Sequence, residues 1–341
     1  MTFSFKSNRP ANRTTAIASG SHPVIHRRDV SGITAQAERD LLAAHHLNSA
    51  DLIATGTEAK VYLLDSEQVL KVYADPDGTQ AARLQTLRTF YDRLDRGRVP
   101  YALPVIHSVE QHGPLLATRE ALLPGRPMGE VCDLTIPEAE ALYLDAVTAL
   151  GALPPPSGAG PRMLLAGPGT PGAEPGLGWH PFLRRLLDTR LEAVHDILSA
   201  DVPRIDTIVK DLHTLLDSPY TGPEAVVHGD LYPDNLLFAG GSVSAVVDFG
   251  TFTMTGDPLY DVSGACVYYR QYEADRLTVW RRLLDQAADR TPSSRRHLLR
   301  AYAEIIAILT CDLYPENHKP LQATGHYQWA VTVLRDLDWG S

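Results

Sequence analysis

Short apolar runs interrupted by polar turns predict a small antiparallel sheet in the first 121 residues. Three runs rich in β-branched residues and leucine follow one another closely, and the link at 65–67 is short enough for a hairpin turn. From Leu84 to Leu94, leucine and tyrosine recur at spacings of three and four, the pattern of one helical face, with Thr79 as the predicted cap. The predicted elements are a helix over 33–47, strands over 51–54, 60–64 and 68–73, a helix over 79–94, and strands over 103–110 and 115–120.

Beyond residue 122 the pattern changes to the longer period of amphipathic helices. In the stretch 154–181, 15 of 28 residues are glycine or proline, so we predict no regular element there and interpret it as a linker or a substrate lid. The chain therefore reads as an α+β protein with a small mixed part and a larger, mostly helical part. The predicted helices cover 137–153, 181–199, 205–216, 273–288, 293–313 and 326–336.

Charge and composition exclude several classes of protein. The net charge of −10 argues against a general nucleic-acid binder and suits a cationic or metal-bound ligand. No apolar run reaches the ~18 residues of a membrane span, and the N-terminal segment lacks the apolar core of a secretory signal. We expect residues 1–32 to form a mobile tail of a cytoplasmic protein. Its cysteines, Cys132, Cys266 and Cys311, are too far apart for a pair motif and are expected to be reduced.

The adjacent pair His45 and His46 resembles a metal site only superficially. Neighbouring helix positions point about 100° apart, and no second group of ligand residues stands at a metal-binding spacing. We therefore predict two histidines on a helix surface.

The segment 225–250 is the part of the sequence that indicates a reaction. Three short apolar strands are predicted in it, and polar residues follow the first and last of them. Asn235 and Asp248 offer the hard oxygen ligands that magnesium prefers. Asp230 is placed to accept the proton of an attacking hydroxyl. We expect all three side chains around one cleft, which is the combination that phosphoryl transfer needs.

These motifs resemble a known family. His228-Gly229-Asp230 with Asn235 five residues on, and Asp248-Phe249-Gly250, are similar to the catalytic and metal motifs of the aminoglycoside phosphotransferase and choline kinase-like family. The resemblance covers roughly residues 48 to 320 and implies ATP and Mg²⁺ as cofactors. It also implies a bilobal protein-kinase-like fold, with a small antiparallel-sheet N-lobe over 33–121 and a helical C-lobe over 122–341.

The resemblance further implies residues that hold the nucleotide. Lys71 on the third strand matches the lysine that binds the α- and β-phosphates, and the loop with Gly56 and Thr57 would cover them. Backbone groups near Glu120 and Leu122 would bind the adenine edge. The family's helix glutamate, which pairs with the lysine, has no counterpart in the helix over 79–94. Gln85 stands about where it is expected and is predicted to bind Lys71 by its amide oxygen, while Glu58 is a less suitable substitute.

The segment Gly256–Asp261 also matches the family, and we expect Asp257 and Asp261 to cap and brace a helix. Acids and aromatic residues of the C-terminal helices are candidates for an acceptor wall that would suit a cation, although each is better explained as a solvated helix charge or a core aromatic. The residues considered for this acceptor wall are Asp312, Glu316, Asp336, Tyr268, Tyr269 and Trp329.

The sequence leaves the acceptor open. Our leading hypothesis is phosphate transfer from ATP to a hydroxyl of an aminoglycoside-like or other antibiotic, by a monomer or homodimer with no nucleic-acid or membrane partner. One alternative is a metabolic kinase for choline, homoserine, methylthioribose or a sugar. Another is a nucleotide-binding pseudokinase scaffold, which the missing helix glutamate favours. A protein kinase is disfavoured because Gly229 replaces the usual arginine.

Overall fold

The computed structural model describes most of the chain. The predicted tail before Gly32, the loop residue Thr57, Cys132 and much of the stretch 154–181 lie outside the described residues. The described residues are 32–56, 58–130, 135–156, 162–166, 174, 176–316 and 319–336.

The chain divides into two compact units. Among the described residues, the N-terminal unit comprises those up to Leu94 together with Ala102–Pro124. The C-terminal unit comprises Asp95–Tyr101 and the described residues from Gly125 onward. The short segment Asp95–Tyr101 thus belongs to the C-terminal unit, where the Tyr101 hydroxyl donates to the carbonyl of Ala146 at 2.9 Å.

The N-terminal unit is built on an antiparallel five-stranded sheet in the order β1-β2-β3-β5-β4. The last two strands form a hairpin whose second strand lies against β3, so β4 becomes an edge strand. The elements of this unit are α1 (Ala35–Ala44), β1 (Leu52–Thr55), β2 (Ala59–Leu63), β3 (Gln68–Ala74), α2 (Thr79–Asp92), β4 (Ile106–His112) and β5 (Leu115–Ala121).

The two faces of this sheet differ in character. On one face Leu70, Val72 and Ala117 join Leu41 and Leu42 of α1 in a buried apolar cluster. Because successive side chains of a strand point to opposite faces, the residues between them project from the other face. That other face carries the predicted phosphate lysine.

The N-terminus of α2 corrects a detail of the sequence analysis. Thr79 is the first helical residue and not the cap, because the capping position is held by Gly78 in a left-handed conformation (φ 70°). Two aspartates bind the free N–H groups of the first turn: Asp77 accepts from Thr79 at 3.1 Å and Asp75 from Gln80 at 2.9 Å. Carboxylates suit this end because the helix dipole is positive there.

The C-terminal unit is mostly helical, as predicted, with two small sheets. One pairs β10 with β7, and in the other the central strand β8 pairs with both β6 and β9. The sequence analysis did not identify β6 or β10, each of which has only two or three residues. The helices are α3 (Ile136–Leu150), α4 (Trp179–Asp201), α5 (Ile205–Leu216), α6 (Leu259–Tyr268), α7 (Arg276–Arg290), α8 (His297–Thr310) and α9 (Gly325–Arg335). The strands are β6 (Arg126–Pro127), β7 (Ala225–Val227), β8 (Leu236–Ala239), β9 (Ser242–Val246) and β10 (Met254–Gly256).

Helices α6 and α8 form the centre of this unit. Helix α6 is buried over its whole length, and α8 is buried at all but a few positions. A helix that is apolar around its circumference must be surrounded by other elements. Among the described residues, every helix is too short or too polar to cross a lipid bilayer.

Candidate active site

The loop after β7 is held in place by one buried histidine. The His228 side chain is fully buried, and its Nε2 lies 2.8 Å from the carbonyl of Val247, the residue before Asp248. Its Nδ1 accepts from the N–H of Asp230 at 3.3 Å. Both bonds are satisfied by the neutral imidazole with its proton on Nε2. Burial accordingly lowers the pKa of His228 to about 4.

A second buried residue, Asp261 of α6, binds the same loop through its backbone. Its Oδ2 accepts from the N–H of His228 at 2.7 Å, and its Oδ1 accepts from the N–H of Gly229 at 2.8 Å. Burial raises the pKa of Asp261 to about 7, although both main-chain donors oppose that shift. The aspartate was predicted to brace a helix, and the structure shows that it braces the loop of His228 and Gly229.

Gly229 is required by the conformation of this loop. Its φ is +78°, in the left-handed region that side chains other than glycine rarely adopt. An added Cβ would lie 2.2 Å from the carbonyl oxygen of Phe252. The glycine that distinguishes this motif from that of protein kinases is therefore a structural requirement here.

Asn235 is oriented by a bond to the loop that carries Asp230. Its side-chain N–H donates to the carbonyl of Asp230 at 2.7 Å, which leaves the Oδ1 atom as the available ligand. Its own carbonyl accepts from the N–H of Val247 at 2.9 Å. Since Val247 directly precedes Asp248, these bonds link all three predicted residues in one continuous network.

Asp248 projects from a sharp turn of the backbone. Its φ is +63°, and its side chain is exposed, whereas the next residue, Phe249, is buried with its ring centroid 4.5 Å from that of His228. The turn separates the two side chains, one to solvent and one to the core. Beyond it, the Thr253 hydroxyl accepts from the N–H of Gly250 at 2.8 Å.

The oxygen atoms present fit a magnesium ion. Mg²⁺ binds through one or two carboxylates or amide oxygens and keeps several waters or phosphate oxygens as its other ligands. Asn235 offers an oriented amide oxygen and Asp248 an exposed carboxylate, and neither is a soft ligand that would favour another metal.

The predicted phosphate lysine has a carboxylate partner. Lys71 Nζ lies 3.0 Å from Glu120 Oε2, and both residues lie on the face of the sheet opposite α1. The other oxygen of Glu120 accepts from Thr118 at 2.7 Å, with the Tyr73 hydroxyl 3.5 Å away. Glu120 is buried, so its carboxylate is fixed by neighbours on β3 and β5. The carboxylate beside Lys71 therefore belongs to the strand residue Glu120, whereas the resemblance implied a glutamate on a helix.

This pairing changes the role predicted for Gln85. Gln85 is exposed on α2, and the carboxylate that the structure places at Lys71 belongs to Glu120. The other substitute considered, Glu58, lies 3.5 Å from Arg83 of α2. Sequence reasoning named Glu120 only for its backbone; the signal for its side chain was the alternation of Thr118 and Glu120 along one strand face.

The backbone N–H groups of two predicted nucleotide residues have partners within the N-terminal unit. The N–H of Leu122 donates to the carbonyl of Glu67 at 2.7 Å, so this predicted adenine donor is already used within the N-terminal unit. Gly56 lies at the exposed turn between β1 and β2, where its N–H donates to the carbonyl of Ala59 at 2.8 Å. The neighbouring Thr57 lies outside the described residues.

Comparison with known proteins identifies the family. The model of the phosphotransferase enzyme family matches residues 49–310, which is more than half of the chain. The chain belongs to the phosphotransferase enzyme family. The resemblance stated from the catalytic and metal motifs is confirmed.

Among curated members of this kind, the chain is similar to homoserine kinases. It is 29% identical to that of Sinorhizobium medicae (strain WSM419) over 223 residues, covering 61% of this chain and 60% of the relative. It is 32% identical to that of Rhodopseudomonas palustris (strain TIE-1) over 102 residues, covering 29% of this chain and 28% of the relative. The chain thus spans less than two thirds of the length of these curated relatives.

Solved structures of aminoglycoside phosphotransferases share the fold of this phosphotransferase family member. One is a thermostable mutant of APH(4)-Ia in ternary complex with ADP and hygromycin B: TM-score 0.60, 19% identity, covering 87% of this chain and 95% of that one. Another APH(4)-Ia structure gives a TM-score of 0.59 at 21% identity, covering 88% and 96%. The predicted α+β, protein-kinase-like fold is therefore confirmed.

Within the element Gly256–Asp261, it is Asp257 that braces the start of α6, as was predicted for this element. Asp257 is fully buried, where it accepts from the N–H of Leu259 at 3.0 Å, from Arg295 at 2.6 Å and from the Tyr302 hydroxyl at 2.9 Å. The Cβ of any other residue at Gly256 would lie 2.2 Å from the Trp179 ring. These residues fix the start of α6, the helix that carries Asp261.

The residues considered for an acceptor wall have partners within the chain. The aromatic members Tyr268, Tyr269 and Trp329 are buried, and the Trp329 ring N–H donates to the carbonyl of Val267 at 2.8 Å. The acids are paired within the chain: Asp312 with Arg190, Glu316 with Lys319, and Asp336 with Arg335. The aromatic candidates are therefore core residues, which was the favoured interpretation, and each acid forms an ion pair.

Proposed function

We propose that the protein transfers the γ-phosphate of ATP, with Mg²⁺, to a hydroxyl of a small molecule. The observation that carries this proposal is the bonded network through Asp230, Asn235 and Val247, which links a base and two oxygen ligands within one loop system. Family membership supports the same reaction class.

In the proposed reaction Asp230 accepts the proton of the acceptor hydroxyl while that oxygen forms a bond to the γ-phosphorus. The bond from the γ-phosphorus to the bridging oxygen breaks, and its electron pair leaves with ADP. Asn235 and Asp248 would hold a magnesium ion, which would supply positive charge to the phosphate oxygens. Lys71 binds the phosphates, and Glu120 acts on it as a positioning residue.

The pair of Lys71 and Glu120 also bears on the scaffold alternative. The absence of a helix glutamate favoured a nucleotide-binding pseudokinase, because an unpaired lysine would lack a fixed orientation. A buried carboxylate 3.0 Å from the ammonium supplies that orientation with charge-assisted strength. This supports an active transferase.

For the acceptor we propose an aminoglycoside-like or other antibiotic, which the net charge of −10 suits if the antibiotic is cationic. The second candidate is homoserine, favoured by the curated relatives, which are 29% identical over 61% of this chain in one case. The three acids considered for the acceptor wall each form an ion pair within the chain, so a cationic acceptor would have to compete with these pairs to bind them.

The test is an acceptor panel with purified protein, ATP and Mg²⁺. Formation of ADP is measured with hygromycin B, other aminoglycosides, a macrolide, L-homoserine and choline, and the product is examined by mass spectrometry for one added phosphate. We expect ADP formation to depend on one acceptor class and to be lost in the Asp230→Ala variant. ATP binding without acceptor-dependent ADP formation across the panel would contradict the proposal.

A further inference from the structure

The N-terminal unit brings together three side chains of the kinds that bind metal ions. His45, at the C-terminus of α1, meets Glu110 and His112 of the edge strand β4. One potential ligand atom from each of the three lies within 4.8 Å of the others. Among the described residues, this is the group of His, Cys, Asp and Glu with such a geometry.

The location corrects the expectation for His45. His45 is 8% exposed and therefore not a surface histidine, whereas its neighbour His46 is exposed. The fold supplies the second ligand group that no local spacing revealed, because β4 follows His45 by some sixty residues in the sequence. Glu110 and His112 are two positions apart on one strand and so project from the same face.

The histidines have unsatisfied nitrogen atoms. The Nε2 atoms of His45 and His112 are both buried and make no hydrogen bond to any residue that the structure describes. A buried polar atom without a partner costs free energy, and such atoms in native proteins call for an explanation such as an ion. The ring centroids lie 5.3 Å apart, and Glu110 Oε2 lies 3.8 Å from His112 Nε2.

We propose that His45, Glu110 and His112 form a binding site for a divalent transition-metal ion, with zinc as the best fit. Two imidazoles and one carboxylate are a common zinc ligand set, which leaves a fourth position for water. Metal–ligand distances of about 2.0–2.2 Å place tetrahedral ligand atoms about 3.3 Å apart. The three ligand atoms lie within 4.8 Å of one another, so small side-chain rotations would bring them to that spacing.

One cation opposes the site in the metal-free form. Arg119 Nη2 lies 3.3 Å from His45 Nδ1, and its Nε lies 3.6 Å from Glu110 Oε1. The guanidinium thus stands where a metal ion would provide the positive charge. Its side chain is 41% exposed, so it has room to rotate into solvent when an ion binds.

The site would join the end of α1 to the β4–β5 hairpin. The side chains of Glu110 and His112 project from the face of the sheet that packs against α1, whereas those of Lys71 and Glu120 project from the opposite face. A metal ion there stabilises the N-terminal unit without touching the proposed nucleotide residues.

The experiment titrates untagged full-length protein with ZnCl₂ by calorimetry, in excess Mg²⁺ to occupy the proposed catalytic metal site. We expect one site per chain that is lost in His45→Ala and in His112→Ala. Loss of a ligand should weaken binding by at least the roughly 10- to 100-fold that loss of a supporting partner costs. Zinc should raise the melting temperature of the wild type and not that of these variants.

Matched controls separate the site from nonspecific binding. His46→Ala and His107→Ala remove exposed histidines next to His45 and on the same strand as His112, and both should bind zinc like the wild type. Glu110→Gln keeps the shape of the carboxylate and should weaken binding even if an alanine variant unfolds. Arg119→Gln should tighten binding, because it removes the competing cation.

Three results would overturn the proposal. One is a wild type without zinc binding at this stoichiometry. Another is unchanged binding in the folded His45→Ala, His112→Ala or Glu110→Gln variants. Weaker binding in Arg119→Gln would likewise show that the cluster is an ordinary hydrogen-bonded network.

Discussion

Two regions of the molecule hold their polar side chains by different means. One is the loop after β7, which carries Asp230, and the other is strand β3, which carries Lys71. In the loop, buried His228 and Asp261 bind backbone groups, so the main chain itself is fixed. On the strand, Lys71 is oriented by a side chain, Glu120, on a sheet whose ladder does not depend on either. Substitutions in the loop should therefore affect folding as well as reaction, whereas those at the strand pair should affect the reaction alone.

The largest effect tests the proposed base at the centre of the loop. Asp230→Ala should lower kcat by roughly 10²- to 10⁴-fold, the usual contribution of general base catalysis. ATP affinity should change little, because the aspartate acts on the acceptor. Steady-state kinetics and nucleotide binding by calorimetry measure both quantities. Unchanged turnover would remove the catalytic role from this residue.

The second prediction tests the fixed backbone of the loop. Gly229→Ala adds a Cβ at φ +78° that would lie 2.2 Å from the Phe252 carbonyl, so we expect destabilisation. The combined cost of the left-handed conformation and the clash is about 2–5 kcal/mol. Urea unfolding followed by tryptophan fluorescence reports it, since every tryptophan follows residue 125.

Gly240→Ala is the matched control. Its φ is +61°, and nothing lies within 4 Å of an added Cβ, so only the conformational cost of about 1–2 kcal/mol remains. Equal destabilisation of the two variants would show that the contact with Phe252 does not constrain the loop.

The third prediction concerns pH. The pKa of His228 is lowered to about 4 by burial, so its contribution to stability is complete above the unfolded pKa near 6.5. That contribution is lost as the pH falls from about 6.5 to about 4, by up to about 3 kcal/mol. His228→Gln removes this titration and should flatten the loss of stability between neutral pH and about pH 4.5.

Asp261 titrates with the opposite effect on stability, and it does so in both the wild type and the His228→Gln variant. Its pKa is raised to about 7, so its contribution increases as the pH falls, and it cancels in the difference between the variant and the wild type. Parallel pH profiles of urea unfolding for wild type and His228→Gln would contradict a neutral buried histidine.

The smallest effect tests the strand pair. Glu120→Gln should lower kcat/KM for ATP by 10- to 100-fold, or about 1.4–2.7 kcal/mol, because Lys71 loses its charged partner. Unfolding by urea should change little. Gln85→Ala, on exposed α2, should keep wild-type kinetics. A loss in Gln85→Ala equal to that in Glu120→Gln would restore the helix residue to the role predicted from the sequence.

The candidate site residues in 225–250 could be predicted from the sequence because they lie close together along the chain. Asp230, Asn235 and Asp248 lie within nineteen residues, so the strands between them fix their relation with little help from the rest of the chain. The α+β fold class was likewise predictable, because strand and helix periods differ and most element bounds follow from local composition.

Only the tertiary structure decided which distant residues meet. The order β3-β5-β4 sets Glu120 beside Lys71, about fifty residues away in the chain, and places Glu110 and His112 beside His45. The position of α6 likewise sets Asp261 under the loop of His228. Strand pairing and helix packing are chosen by the burial of apolar surface from the whole chain, and no local pattern records that choice.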